Sequence, residues 1–179
     1  MSLSKYFHEY SSGFSLIELL LVVAVILIIA AIAIPSFMRS RMAANESAAV
    51  SYLRAINSAS VTYSTTYGNG FPPSLIALGP PVAPPATCDN AELIDGVLAG
   101  GVKAGYNFGY NPLAPRAAAP VGCAAPGGDG FVAQTDPVSV GGTGQRSFCV
   151  DHSGIIRFDG TGVAFGLGAV CPAAATPLQ

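Results

Sequence analysis

Between Phe14 and Tyr67 the chain runs for 54 residues without a glycine and with a single proline, Pro35. Glycine and proline are the strongest local helix breakers, so this stretch predicts one nearly unbroken α-helix over residues 14–67. At 1.5 Å per residue such a helix is about 80 Å long, more than a compact domain of this size can wrap. Part of it must be buried in something other than the chain itself. The breakers collect behind it: 20 of the 21 glycines lie at or beyond Gly68, and 13 of the 14 prolines at or beyond Pro72. The 179 residues therefore divide into a helical front and a loop-rich back.

The two halves of the helix differ in chemistry. Residues 19–38 carry no charge and residues 19–34 no polar side chain. As a helix, residues 14–34 span about 31 Å, which matches a bilayer core of about 30 Å and predicts a transmembrane segment. A cleaved secretory signal would have a shorter apolar region behind a basic N-region. Here the apolar run continues into an amphipathic half, where Ala49, Tyr52, Leu53, Ile56, Ala59, Tyr63 and Tyr67 recur at spacings of three and four. That stripe predicts a face packed on a sheet, with Glu46, Ser47, Arg54, Asn57 and Ser58 on the opposite, polar face.

Charged residues make up 10% of the chain and its net charge is −2. Without a basic stripe there is no direct signal for nucleic-acid binding, which depends on displacing phosphate counterions. A hydrophobic fraction of 51% also excludes an intrinsically disordered chain.

Glu18 is the anomaly of the apolar run, because an ionised side chain inside a membrane helix costs at least about 3 kcal/mol and normally marks a function or a partner. No basic residue lies close by in the sequence, but a free α-amino group would serve if the chain were cut between Gly13 and Phe14. The string Gly13, Phe14, Ser15, Leu16, Ile17, Glu18, Leu19, Leu20, followed by an apolar run and Pro35, resembles the class III signal of type IV pilins and pseudopilins. The resemblance implies that a prepilin peptidase removes residues 1–13 as a leader and N-methylates Phe14. It also implies that Glu18 pairs with the N-terminal ammonium of a neighbouring subunit as the helices bundle into a filament core. At about 4 Å and an effective dielectric of about 20, such a pair attracts by up to about 4 kcal/mol before desolvation is subtracted, so it sets register while the apolar helices supply adhesion. An intrachain pair between Glu18 and Phe14, four residues away, is also within reach. Pro35 marks the end of the membrane half and a place where the helix can kink. Arg39 and Arg41 beyond it would, on a bare positive-inside count, keep the C-terminal part in the cytoplasm, whereas the resemblance implies export.

Residues 68–179 read as an exported globular domain. Gly68, Asn69 and Gly70 stop the helix, and residues 71–86 form a proline-rich loop. Asp89 and Glu92 ahead of Leu93, Ile94, Val97 and Leu98 predict a short capped helix ending at Gly100. Tyr106, Phe108 and Tyr110 alternate as in a half-buried strand, and residues 131–135 are a second strand candidate. Residues 148–151 and 155–159, joined by His152, Ser153 and Gly154, predict a β-hairpin, with residues 163–167 as a last edge strand. The expected fold is α+β: a long N-terminal helix on a small antiparallel sheet, which is also the pilin fold. Residues 39–46, 62–70, 93–110 and 146–157 further resemble a group of long bacterial pilin-like proteins.

Cys88, Cys123, Cys149 and Cys171 all fall in the exported part, where an even number predicts disulfides with three possible connectivities. The resemblance implies Cys149 with Cys171, clasping a C-terminal loop, which leaves Cys88 with Cys123. No cysteine pair has the close spacing that zinc sites favour, and no metal or cofactor is expected. Asp151, His152 and Ser153 are adjacent, whereas members of a catalytic triad come from separated positions, so a polar turn is expected there. The glycine-rich residues 141–146 lack the lysine and following helix of a phosphate loop. Asp89, Asp95, Asp129 and Asp159 show no calcium-loop spacing, and no enzymatic activity is expected.

The resulting expectation is a type IV pilin: a precursor in the bacterial inner membrane, then a subunit of a surface filament used in adhesion, motility, DNA uptake or secretion. Its implied partners are the prepilin peptidase and N-methyltransferase, the inner-membrane assembly machinery and further copies of itself. The alternatives are a pseudopilin of a type II secretion system and a membrane-tethered binding module that does not polymerise. Major pseudopilins commonly carry a tryptophan-containing C-terminal motif, and this chain has no tryptophan.

Overall fold

A computed structural model describes residues 13–165, 171–172 and 175–178. The expected leader therefore lies outside the described residues except for Gly13. The chain divides into two compact units, Met1–Arg39 and Ser40–Gln179, and helix α1 (Leu16–Tyr67) contributes to both. In the first unit α1 is apolar on every side and none of the described residues is buried. A helix that is apolar all round needs an apolar medium, and this one is long and apolar enough to cross a membrane. The helix runs through Pro35 without a break.

The second unit is a helix on a sheet. Among the described residues, six strands follow one another as an antiparallel meander: β1 (Val102–Lys103), β2 (Tyr106–Pro115), β3 (Gly128–Pro137), β4 (Ser147–Asp151), β5 (Ile156–Asp159) and β6 (Thr176–Pro177). Strand alternation decides what each face touches. Phe131 and Ala133 of β3, Phe148 and Val150 of β4, and Tyr106 and Phe108 of β2 face the core, where they meet Ala49, Leu53, Ile56 and Tyr63 of α1. The intervening Val132 and Cys149 form a second cluster on the other face with Cys171. The α+β pilin-like layout is thus present, and the helical stripe is its core face. The ring edge of Tyr52 meets Phe108 at 6.0 Å, while Tyr110 stacks on Phe131 at 5.4 Å.

Three local readings are corrected. Glu46, placed on the polar face, is only 7% exposed. The short helix α2 covers only Gly96–Ala99, and its cap is Asp95, whose carboxylate accepts from Val97 N and Leu98 N. Asp89 does not cap it, because Glu92 takes a left-handed φ of 53° and Leu93 and Ile94 both donate their N–H to Leu78 O, which pins them to the proline-rich loop. Residues 163–165 form no strand, and residues 166 and 167 of the expected edge strand lie outside the described residues; β6 pairs with β5 instead. The hairpin appears as expected, with Val150 opposite Ile156.

Candidate processing and assembly site

The chain enters α1 through Gly13, Phe14 and Ser15. Ser15 O accepts from Glu18 N at 3.0 Å and Leu19 N at 3.2 Å, which makes Ser15 the N-cap. Glu18 Oε2 in turn accepts from Ser15 N at 3.4 Å. This is the glutamate half of a capping box, and it sets a carboxylate at the positive end of the helix dipole. The Ser-x-x-Glu spacing is a signal that the sequence itself carries. The Gly13–Phe14 bond precedes the first helical turn, with open space around Gly13 and Phe14 80% exposed. A peptidase must bind its substrate as extended backbone, and this bond is in no helix that would have to unwind. Gly13, Phe14 and Glu18 are thereby gathered at the helix start. Pro35 sits in the same helix about five turns on.

In the Ser40–Gln179 unit, the loop between β3 and β4 returns to α1. Asn45 Nδ2 donates to Thr143 O at 2.9 Å. Glu46 Oε1 accepts from Gln145 N at 2.8 Å and Arg146 N at 3.3 Å, while Oε2 accepts from Arg146 Nε at 2.8 Å. Arg146 Nη2 completes the ion pair at 2.7 Å. The guanidinium lies over Phe148 and Phe158, 5.6 and 5.4 Å from their ring centres. A buried carboxylate is tolerated because every donor aimed at it is used. Tyr106 closes the same corner by donating to Arg146 O at 3.0 Å, and burial pushes its own hydroxyl above the usual tyrosine range. The glycine-rich segment is therefore a structural strap: a Cβ on Gly144 would collide with the Tyr106 hydroxyl.

The other end of the amphipathic half-helix is tied down by polar side chains. Asn69, fully buried, donates to Tyr63 Oη at 3.2 Å and Ala125 O at 3.1 Å and accepts from Gly127 N at 3.0 Å. Tyr63 donates to Cys88 O at 2.7 Å. Arg116 Nη1 donates to Gly68 O at 2.9 Å, placing a cation at the negative end of the helix. The cysteines pair as Cys88–Cys123 and Cys149–Cys171, with Cα separations of 5.5 and 5.9 Å. The first ties the segment just after the proline-rich loop to the β2–β3 connection, and the second holds the C-terminal segment against the outer face of the sheet.

Asp151, His152 and Ser153 form the hairpin turn: Asp151 Oδ1 accepts from Ser153 N at 2.9 Å and from its hydroxyl. Burial opposes ionisation of Asp151, but the bonds from Ser153 and from the Cys171 backbone outweigh it and hold the carboxyl below its ordinary value. Asp95 also lies low, chiefly through Lys103 Nζ at 2.6 Å. Among the described residues, no group of three metal-ligating side chains comes together.

A family described by the prokaryotic N-terminal methylation motif matches residues 10–34. The chain thus carries the class III signal of type IV pilins, over the segment that holds Gly13, Phe14, Glu18 and the apolar run. That signal supports a type IV pilin-like protein of the kind handled by prepilin peptidase, and it fits a membrane-anchored precursor. No curated protein and no solved structure matches the chain.

Proposed function

We propose that the protein is a structural subunit of a type IV pilus-like filament, cut between Gly13 and Phe14, N-methylated at Phe14 and assembled through residues 14–34. The observation that carries this reading is the methylation motif at residues 10–34 on a helix that is apolar on every side and exposed along its first unit. In the precursor Glu18 is satisfied by Ser15 N. Cleavage creates an ammonium at Phe14, and Glu18 becomes the counter-charge for such a group on an adjacent subunit. Pro35 closes the filament-core segment, and the disulfide-braced unit beyond it forms the filament surface. The inner-membrane assembly machinery and the peptidase are its partners, and its role is structural rather than catalytic.

The test is Glu18→Ala in the full chain. Processing at Phe14 should persist, whereas surface fibres in sheared material should fall at least tenfold. Normal fibre yield from this variant would refute the pairing role. A chain that is processed but gives no fibres even as wild type is a membrane-tethered module and not a filament subunit.

A further inference from the structure

The charges of the Ser40–Gln179 unit are mostly spent within the chain. Asp89 accepts from Ala124 N, Asp95 pairs with Lys103, Asp129 with Arg116 and Glu46 with Arg146; Asp136 accepts from Asn107, and Asp151 and Asp159 from their own turns. Among the described residues of this unit, one carboxylate makes no hydrogen bond or ion pair: the exposed Glu92. It stands at a φ of 53°, a conformation in which a side chain other than that of Gly, Asn or Asp is uncommon.

The complementary feature is a cleft of about 270 Å³ between α1 and β4. Ser47, Val50 and Arg54 form its helix side and Arg146, Phe148 and Leu178 the other. Arg146 is held rigidly by Glu46 and the two phenylalanine rings, and its side chain is still 42% exposed. Nε and one N–H of Nη2 are used on Glu46, which leaves three of the five guanidinium N–H groups without a partner among the described residues. Arg54 is exposed and unpaired among the described residues. Among the described residues, Glu46 is the one carboxylate in the lining and is already neutralised, so these residues offer a surplus cation beside an oriented guanidinium, with apolar walls that suit a methylene stem.

Resting on the filament reading, we propose that this cleft receives Glu92 of a second copy of the chain. The two features lie on opposite flanks of the sheet: Glu92 precedes α2, which packs on β1, whereas Leu178 of the cleft donates its N–H to Ile156 O of β5 at 2.8 Å, just beyond β6. A contact joining one flank to the other is heterologous. Repeated, it gives a ring where its rotation closes and an open helical array where it does not, but no two-fold dimer; the filament reading takes the open array. The contact is charge-directed and half exposed, so it chooses the neighbour and its register while the apolar helices provide cohesion.

Two full-length variants that keep both charges, Val97→Cys on the exposed side of α2 near Glu92 and Ser47→Cys in the cleft lining, co-expressed and treated with a bis-maleimide, test the contact. A covalent dimer containing one chain of each kind is expected, with Ser47→Cys alone giving at least tenfold less. Absence of the mixed dimer overturns the contact whether or not fibres form. Fibres of the wild type, scored separately by electron microscopy, report on the filament reading: a mixed dimer without fibres sustains the contact and sinks the filament. Where fibres form, Glu92→Arg and Arg54→Glu should each cut their yield at least tenfold and the double swap should restore it to within about twofold; a double swap no better than either single change overturns the charge pairing.

Discussion

Replacing Glu46 by alanine removes an acceptor shared by Gln145 N, Arg146 N and the Arg146 guanidinium. The guanidinium is partly solvated and can return to water, but the backbone N–H groups are part-buried and lose their partner. The expected cost is about 2–4 kcal/mol, with Glu46→Gln milder because one acceptor oxygen remains. Urea unfolding of the full chain in detergent measures it; equal stability of Glu46→Ala and wild type would show that the strap is held by Asn45 and Tyr106 alone. Asp151 gives a pH dependence of fixed sign. Its carboxyl titrates lower in the folded chain than in the unfolded chain, so its stabilising contribution is complete above the ordinary carboxylate range and is lost as pH falls through it. Asp151→Asn should therefore flatten the acid limb of a stability profile between about pH 5 and pH 2 while changing its slope little at pH 7.

At the scale of elements, periodicity is a good guide wherever contacts are near in sequence. The apolar stripe of α1, the alternation of Tyr106, Phe108 and Tyr110, and the 148–159 hairpin all declare themselves in their own residues. Glu46 does not, because its partners arrive 99 and 100 residues later and nothing in a helical wheel records them. The cap of α2 is ambiguous in the sequence for a related reason: Asp89 and Asp95 are both good caps, and the choice is made by Leu93 and Ile94 bonding to Leu78. The cysteines alone leave three pairings open, and the pairs found brace different layers. Their loops, 35 and 22 residues, predict similar entropic contributions of roughly 3–4 kcal/mol each. Packing separates them: Cys149 and Cys171 cover Val132, so replacing both by serine also unseats the C-terminal segment. We expect that double variant to lose more stability than Cys88→Ser/Cys123→Ser, as read by thermal unfolding; the reverse order would place the weak point in the proline-rich loop.

Across the whole molecule, the uneven sequence becomes a division of labour between two units. The first exposes apolar side chains from Phe14 to Met38; their burial has to come from outside the chain, and the proposed function supplies it from lipid first and from other copies afterwards. The second holds the core, both disulfides and the half-buried ion pair of Glu46 with Arg146. The methylation motif is legible residue by residue, since Gly13, Phe14 and Glu18 carry it in their local spacing, whereas the Arg54–Arg146 cleft exists only after the sheet has assembled. On the proposed function, the mature chain is made by cutting before Phe14. Mass spectrometry of the intact protein purified from its native cell reads this directly. The expected mass is that of residues 14–179 with both disulfides formed and one N-methyl group on Phe14; a protein that keeps residues 1–13, or begins at any other residue, would contradict the account.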